Sequence, residues 1–338
     1  MGPCSSAFSK KREVSSPNEH NPNIIKPQGE IKKNDNPHSI IKGKKDEFVN
    51  IHINEIQGDM VRIEGNTNCE ILIMDRSGAA EIQQCKKCSI FIGPCSTSVN
   101  VRDCSDITVI SASNQLRITN VKNGNFICYT NTPPGIDLCE NIQLSCLCID
   151  YLEMLRLFSE TNLNIWGNCW SEYIIFTQKG NSVKLSADVM PMLEKFPKAK
   201  DEMINMNSYK TVPFTYGKSY NFVNHKHLIL ILRDNPDTKT VIDFLEKDEL
   251  KAANTFLIKT LSLEKNNSIV TELLKMLAKD DPEKYETLSS IASINNKEGI
   301  ASQGGGALQK APTNSFKRGD LILLWFTNEI NGFEKMFN

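Results

Sequence analysis

Apolar residues recur two positions apart in five short segments between residues 68 and 147, at steps of roughly 16 to 19 residues. This alternation is typical of a short β-strand with one buried face. A second set of apolar positions lies between the first, so each repeat carries about two strands. The first set is Ile71/Ile73, Ile90/Ile92, Ile107/Val109, Phe126/Cys128 and Ile142/Leu144, and the second is Ile82, Val99/Val101, Leu116/Ile118 and Leu138.

A unit of two short strands cannot bury its apolar face alone, so consecutive units must stack. The pattern therefore predicts a right-handed parallel β-helix, or a similar β-solenoid, which we place at residues 46–177. Strand-like alternation over 48–66 is expected to cap its N-terminal end. Bulky aromatic residues such as Trp166 and Trp170 are expected to cap the other end, because terminal repeats need atypical caps.

Eleven cysteines are present, and most recur at or beside the strand positions of the repeat. Reduced cysteine is a small residue that is often buried, so we expect these side chains to stack inside the solenoid. Cys85 and Cys88 form a single CxxC pair, and no second pair or histidine pair follows at zinc-site spacing. Packing is therefore favoured over a metal site. The repeat cysteines are Cys69, Cys85, Cys88, Cys104, Cys128, Cys139, Cys146 and Cys148.

Residues 1–45 are predicted to be a disordered tail, rich in proline, asparagine and lysine. Gly2 together with Ser6 fits the myristoylation pattern, and Cys4 is a candidate for S-palmitoylation. A basic cluster at 10–12 would add attraction to an anionic membrane. The rigid ring of Pro3 argues against myristoylation, so an ordinary initiator segment is the alternative. No secretory signal or membrane-spanning run is recognised, and the thiols are expected to be reduced in the cytosol.

The C-terminal half changes pattern. Residues 178–216 are predicted to be a linker, with a loose helix at 188–200. Residues 217–338 alternate strands and helices, which predicts a compact α/β or α+β domain with a disordered insertion at 295–318. The expected strands are 227–232, 255–261 and 320–326, and the expected helices are 240–250, 268–278 and 328–337.

No motif for phosphate binding, dinucleotide binding, zinc hydrolysis or serine hydrolysis occurs in the chain. The formal net charge of −1 provides no field that favours nucleic acid. One arginine remains of interest. Because Leu116 and Ile118 should face the solenoid interior, Gln115, Arg117 and Thr119 should face outward. Arg117 would then be a braced guanidinium on a rigid surface, although an ordinary solvated residue is an equally good interpretation of the pattern alone.

Several short segments match those of a known protein family: 88–94, 98–104, 115–117, 141–144, 168–170 and 328–337, together with the Gly2 and Cys4 opening. On these residues, the chain resembles the X-linked retinitis pigmentosa protein family, whose β-helix is shared with tubulin-folding cofactor C. The similarity is strong over 66–176 and weaker over 220–338, where the family has a ferredoxin-like domain that resembles nucleoside diphosphate kinase.

The resemblance implies a GTPase-activating protein for an Arf-like small GTPase in its GTP state. Arg117 would be the arginine finger and Gln115 its catalytic neighbour. Asn114 stands where the family has a second glutamine, Asp137 where it has an acidic residue, and Phe176 where it has an exposed aromatic residue. All three would contact the partner.

GTP and Mg²⁺ would belong to the partner, so no cofactor, metal or intrinsic catalysis is expected of this chain. Nucleoside diphosphate kinase activity is not expected either, because the family's catalytic histidine setting is missing. The implied location is the cytoplasmic face of the plasma membrane, the ciliary base and the cytoplasm, in the traffic of lipidated proteins. Two alternatives remain open: a tubulin-folding cofactor C-like protein, with tubulin as partner, and a non-catalytic effector of a GTPase.

Overall fold

We analysed a computed structural model of the chain. It describes residues 36–177, 182–199, 201–202, 204–206, 208, 210–219, 228–232, 245, 257–263 and 321–326.

The N-terminal part is a parallel β-solenoid of about six turns, as the two-residue alternation predicts. Each turn contributes one strand to each of two sheets, and every strand pairs with its equivalent in the next turn. The first sheet contains β1 (Ile40–Lys42), β3 (Val61–Glu64), β5 (Ala80–Gln83), part of β6 (Ser89–Thr130), β7 (Gly135–Asp137) and β10 (Ile174–Ile175). The second contains β2 (Phe48–Ile51), β4 (Glu70–Ile73), other parts of β6, β8 (Glu140–Cys146) and β11 (Val183–Leu185).

Two positions in each turn have a positive φ, three residues apart, and they form the corner between the sheets. Asparagine, aspartate and glycine tolerate this left-handed conformation better than other residues. Several corner side chains also bond between turns, as where Asn123 Nδ2 donates to Asp106 Oδ1 at 2.8 Å. The corner pairs are Gly43/Asp46, Gly65/Asn68, Gln84/Lys87, Asp103/Asp106, Asn120/Asn123 and Leu138/Asn141.

The interior of the solenoid is filled by the apolar residues that alternate inward from both sheets, which confirms the predicted set with one exception. All eight repeat cysteines are buried, and seven of them lie inside the solenoid as predicted, whereas Cys148 packs in a second core outside it. Leu138, expected to be inward, is instead 55% exposed with φ at 52°. The prediction was wrong because Ile136 takes the inward strand position and Leu138 falls on the corner.

The end of the solenoid is closed by Trp170, which is buried in the inner core. Its indole Nε1 donates to Thr215 Oγ1 at 3.0 Å, and the backbone N–H of Thr215 donates to Cys146 Sγ at 3.4 Å. Of the two tryptophans expected to cap this end, Trp170 does so, held by a segment that returns from further along the chain, whereas Trp166 packs in a second core.

A second core covers the outer face of the second sheet. The helices α1 (Met154–Glu160) and α2 (Met190–Leu193) contribute to it. Edge-to-face ring pairs join the sheet to residues around α1, with centroids 5.7 Å apart for Phe91 and Tyr151 and 5.2 Å apart for Tyr129 and Phe158. The second sheet is thus buried on both faces in its middle turns.

The boundaries differ from those expected at two places. The first turn already includes β1, which pairs with β3 and lies in the segment assigned to the disordered tail; a 3₁₀ helix, Pro37–Ser39, precedes it. The predicted linker contains β11, which extends the second sheet beside β8, and α2, which packs on the second core. The linker was predicted partly from its prolines. Pro191, however, lies in the first turn of α2, where the backbone N–H has no helical partner, so a proline there does not prevent the helix.

Three strands of the C-terminal half are described: β13 (Leu228–Leu232), β14 (Leu257–Leu263) and β15 (Leu321–Phe326). They form an antiparallel sheet with β15 in the centre, close to the three predicted strand positions. A further antiparallel pair joins β9 (Ile149–Asp150) to β12 (Asn205–Met206). The predicted helices, apart from residue 245, and the 295–318 insertion lie outside the described residues. Within the part of the chain that is described, no helix has the length and apolarity needed to cross a bilayer.

Leu138 offers a test of the corner. Replacing it by Asn should raise the free energy of unfolding by about 1 kcal/mol, because a left-handed conformation disfavours leucine more than asparagine. The measurement is urea denaturation of the full chain. Leu152→Asn is the matched control, since Leu152 is 78% exposed and has no positive φ; an equal gain at both positions would contradict the explanation.

Candidate functional site

The outer face of the first sheet is exposed, and its side chains form two columns that run along the solenoid. Strand register defines most positions directly. Asp103 and Asn120 are equivalent corner residues of consecutive turns, 17 positions apart, and their side chains are hydrogen-bonded. The same separation places Asn100 beside Arg117 and Arg102 beside Thr119. One column is Ile40, Arg62, Glu81, Asn100, Arg117, Gly135 and Ile174, and the other is Lys42, Glu64, Gln83, Arg102, Thr119, Asp137 and Phe176.

Charges in the early turns of this face are paired across neighbouring strands. Lys42 Nζ lies 3.1 Å from Glu64 Oε1, and this ammonium lowers the pKa of the Glu64 carboxyl. Arg102 Nε donates to Gln83 Oε1 at 2.9 Å. Arg62 similarly lies opposite Glu81, with 4.0 Å between Arg62 Nε and Glu81 Oε2. These cations are occupied by their neighbours.

Arg117 differs from them. Its strand neighbours, Leu116 and Ile118, are buried, and its own side chain is exposed, as the alternation predicts. The residues level with it, Asn100 and Gly135, carry no charge. Among the described residues, Arg117 has no hydrogen-bond or ion-pair partner. Its five N–H donors are therefore available to an external acceptor such as a phosphate or a carboxylate.

An apolar surface lies next to Arg117. Gly135 pairs with Arg117 on one side and with Ile174 on the other. The Phe176 ring occupies the space that a side chain at Gly135 would take, since a Cβ there would lie 2.8 Å from Phe176 Cε2. Phe176 is 67% exposed and Ile174 49% exposed. A free guanidinium beside exposed apolar side chains is a combination enriched at protein interfaces.

Asp137 lies on the same face but not directly beside Arg117. It is opposite Thr119, so the strand spacings put its Cα roughly 8 Å from that of Arg117. Asp137 is half-buried, and its Oδ1 has no hydrogen-bond partner among the described residues. The structure thus brings Asp137, Phe176 and Arg117 onto one surface, with Gly135 between them.

Gln115 and Asn114 precede Arg117 where the strand begins. Gln115 is half-buried, two positions before Arg117, and its backbone oxygen accepts from Ser113 Oγ at 3.0 Å. Asn114 is exposed, and its backbone oxygen accepts from Thr132 Oγ1 at 2.9 Å. These contacts fix the main chain of the approach to Arg117 and leave both side chains at the surface.

The lipidation candidates Gly2 and Cys4 lie outside the described residues. In the described part of the chain, no three His, Cys, Asp or Glu side chains are arranged to hold a metal ion. Sequence reasoning overlooked Gly135 and Ile174. The run Thr132-Pro133-Pro134-Gly135 indicates a turn, and only the strand register shows that this glycine opens a gap beside Arg117.

The sequence profile of the family described as "Tubulin binding cofactor C" matches residues 58–174, which lie within the solenoid. The chain is similar to "Tubulin-specific chaperone C" of Homo sapiens, 26% identical over 106 residues, which is 31% of each chain. It is 27% identical over 107 residues to "Tubulin-folding cofactor C" of Arabidopsis thaliana, 30% of each chain.

"TBCC domain-containing protein 1" of Xenopus tropicalis is 25% identical over 125 residues, 36% of this chain and 23% of the relative. These alignments span a third or less of the length of the curated relatives. The family profile, at residues 58–174, lies within the solenoid.

The isolation of Arg117 leads to a stability prediction. Arg117→Ala should change the free energy of unfolding by no more than about 0.5 kcal/mol, because an exposed side chain without partners contributes little. Trp170→Ala should cost about 3–5 kcal/mol, because it removes the buried cap. Urea unfolding of the full chain compares the two. A loss above about 1 kcal/mol in Arg117→Ala would mean that this residue stabilises the fold.

Proposed function

We propose that this chain is a cofactor C-like protein that accelerates GTP hydrolysis by a GTP-bound partner, with Arg117 as an arginine finger. The observation that carries the proposal is the contrast on the exposed sheet, where Lys42, Arg62 and Arg102 are paired and Arg117 is not. A guanidinium that must enter another protein's nucleotide site needs free donors and a rigid mount.

Tubulin is the partner that the similar proteins favour. Two of the relatives carry names that refer to tubulin folding, as a chaperone and as a folding cofactor. The aligned region includes the turn that carries Arg117. On this proposal, the exposed sheet contacts tubulin and Arg117 approaches the GTP that tubulin holds.

An Arf-like small GTPase is the second candidate. Three sequence features favour this partner: the Gln115–Arg117 motif, the Gly2 and Cys4 opening, and Phe176. All three resemble features of the X-linked retinitis pigmentosa protein family. The position of Phe176 on the same surface as Arg117 supports a docking role for it. The chain would then act in the traffic of lipidated proteins at the plasma membrane or ciliary base.

Each site residue has a distinct role in the proposal. Arg117 stabilises the charge that develops on the transferred phosphoryl group, and Gln115, on the same side of the strand, helps to seat it. Asp137, which is half-buried on the same face as Arg117, faces a basic residue of the partner. Phe176 supplies apolar contact area, and Asn114 lies at the edge of the interface. GTP and Mg²⁺ are held by the partner, and this chain needs no cofactor of its own.

Single-turnover GTP hydrolysis by each candidate partner, with and without the full chain, tests the proposal. The wild-type chain should accelerate one of them, and Arg117→Ala should reduce that acceleration by roughly 10³-fold or more. Arg102→Ala is the matched control, since Arg102 lies on the same face but is bound to Gln83. Full activity in Arg117→Ala would exclude the finger.

Phe176→Ala separates docking from chemistry. Loss of this exposed ring should weaken binding of the GTP-loaded partner by about tenfold and leave the rate at saturation largely unchanged. Gly135→Ala should act in the same direction, because its Cβ would displace the Phe176 ring. If the chain binds the GTP-loaded partner with no change in hydrolysis, the chain is an effector and not an activator.

Membrane attachment is a separate part of the proposal. We propose acylation of Cys4, with or without myristate on Gly2, because two acyl chains, or one chain beside the basic cluster at 10–12, anchor a protein stably. Mass spectrometry of the N-terminal peptide from native material should show a thioester-linked acyl chain that hydroxylamine removes. A peptide without any acyl group would contradict the attachment, and Pro3→Ala would show whether the proline prevents myristoylation.

A further inference from the structure

Four thiols lie together at one inner corner of the solenoid, on three consecutive turns. They belong to Cys69, Cys85, Cys88 and Cys104, and each is no more than 4% exposed. Gln83 pairs with Arg102, and Lys86 bridges to Ser105. Those two pairings place Cys85 directly opposite Cys104.

Cys85 and Cys104 are within bonding geometry. The backbone N–H of Cys85 donates to Cys104 Sγ at 3.4 Å. Residues paired in adjacent strands lie about 4.7–4.9 Å apart, and disulfides join Cα atoms that are about 4.4–6.8 Å apart. Because both side chains point inward from equivalent corner positions, a disulfide could form without moving either turn out of register.

The two thiols differ in reactivity. Their mutual hydrogen bond lowers the pKa of Cys104 and raises the pKa of Cys85 to about 11. The thiolate is the nucleophilic form of cysteine. Cys104 Sγ also accepts the Cys85 backbone N–H, which favours its thiolate. We therefore assign Cys104 as the thiol that attacks first and Cys85 as the nearby thiol that completes the disulfide.

We propose that Cys85 and Cys104 are an oxidation site at which hydrogen peroxide creates a reversible disulfide between consecutive turns of the solenoid. The Cys104 thiolate attacks one peroxide oxygen and breaks the O–O bond, giving a sulfenic acid and hydroxide. Cys85 sulfur then displaces the sulfenic oxygen, which leaves as water, and the S–S bond forms. Two thiols are oxidised and the peroxide is reduced to two waters in total. A dithiol reductant converts the disulfide back to two thiols and is itself oxidised to a disulfide.

The chain contains a matched internal control. Cys128 and Cys146 also pair in register, with both side chains fully buried. Burial raises the pKa of both thiols, and Cys146 lies beneath the cap formed with Thr215 and Asn168. Cys85, in contrast, lies beneath a corner whose flanking residues, Gln84 and Lys86, are exposed. Strand register is therefore the same for the Cys85–Cys104 and Cys128–Cys146 pairs. They differ in the exposure of the residues around them and in the direction of the thiol pKa shifts.

The experiment treats the folded full chain with hydrogen peroxide, alkylates the remaining thiols and maps linked peptides by mass spectrometry without reduction. We expect a peptide pair joined through Cys85 and Cys104 that dithiothreitol separates, and no Cys128–Cys146 pair at the same exposure. In Cys85→Ser, a sulfenic-acid probe such as dimedone should label Cys104. Cys148→Ser, which removes a buried thiol outside this corner, should leave the link unchanged.

Three results would overturn the proposal: no intramolecular link in the folded chain, a Cys85–Cys88 link in its place, or a Cys128–Cys146 link that forms equally fast. The wild-type peptide map decides between these outcomes even if a variant does not fold. It is also independent of GTP hydrolysis, so neither result depends on the identity of a partner.

Discussion

The left-handed corner, repeated in every turn, is the constraint on which the rest of this structure depends. Two positive-φ residues three apart turn the chain from one sheet to the next. Asparagine amides tie several corners together by donating to the aspartate or asparagine oxygen of the turn before. Because the corners stack, each strand begins at the same point on its sheet. Equivalent residues of consecutive turns therefore point to the same side of the sheet. A corner one residue longer or shorter would turn the inward side chains of the next strand outward.

The two sheets have different surroundings, and that difference creates the site. The second sheet is covered by α1, α2 and their neighbours, so its outer residues belong to a core. The first sheet keeps its outer face exposed, and the cations of its early turns are bound by side chains of neighbouring strands. Only near Arg117 does the pairing stop, where Gly135 removes a side chain and the Phe176 ring fills the gap. The missing side chain at Gly135 therefore accounts both for the unpaired guanidinium of Arg117 and for the apolar ring beside it.

Much of this architecture can be predicted from residue alternation, because a two-residue period has one physical explanation in a short strand. The inward roles of Leu116 and Ile118, and hence the outward position of Arg117, follow from it. Leu138 could not be placed in this way, since an apolar residue at a corner contradicts the preference of that conformation. Gly135 escaped notice because its effect depends on which residue lies opposite, and register between turns is a long-range property. The packing of 183–193 was missed for the same reason: its contacts are with distant strands.

The turns of this solenoid are not equal in length. Equivalent corner residues are 22 positions apart between Asp46 and Asn68, but 17 between Asp106 and Asn123. The corners and strands still align, so the extra residues must be accommodated on the side of each turn away from the corner. Residues can therefore be inserted or deleted on the side of a turn opposite the corner without moving the outward side chains of the first sheet. The place of Arg117 on the surface is thus set by its distance from the nearest corner, three residues away at Asn120, and not by its distance from the start of the chain.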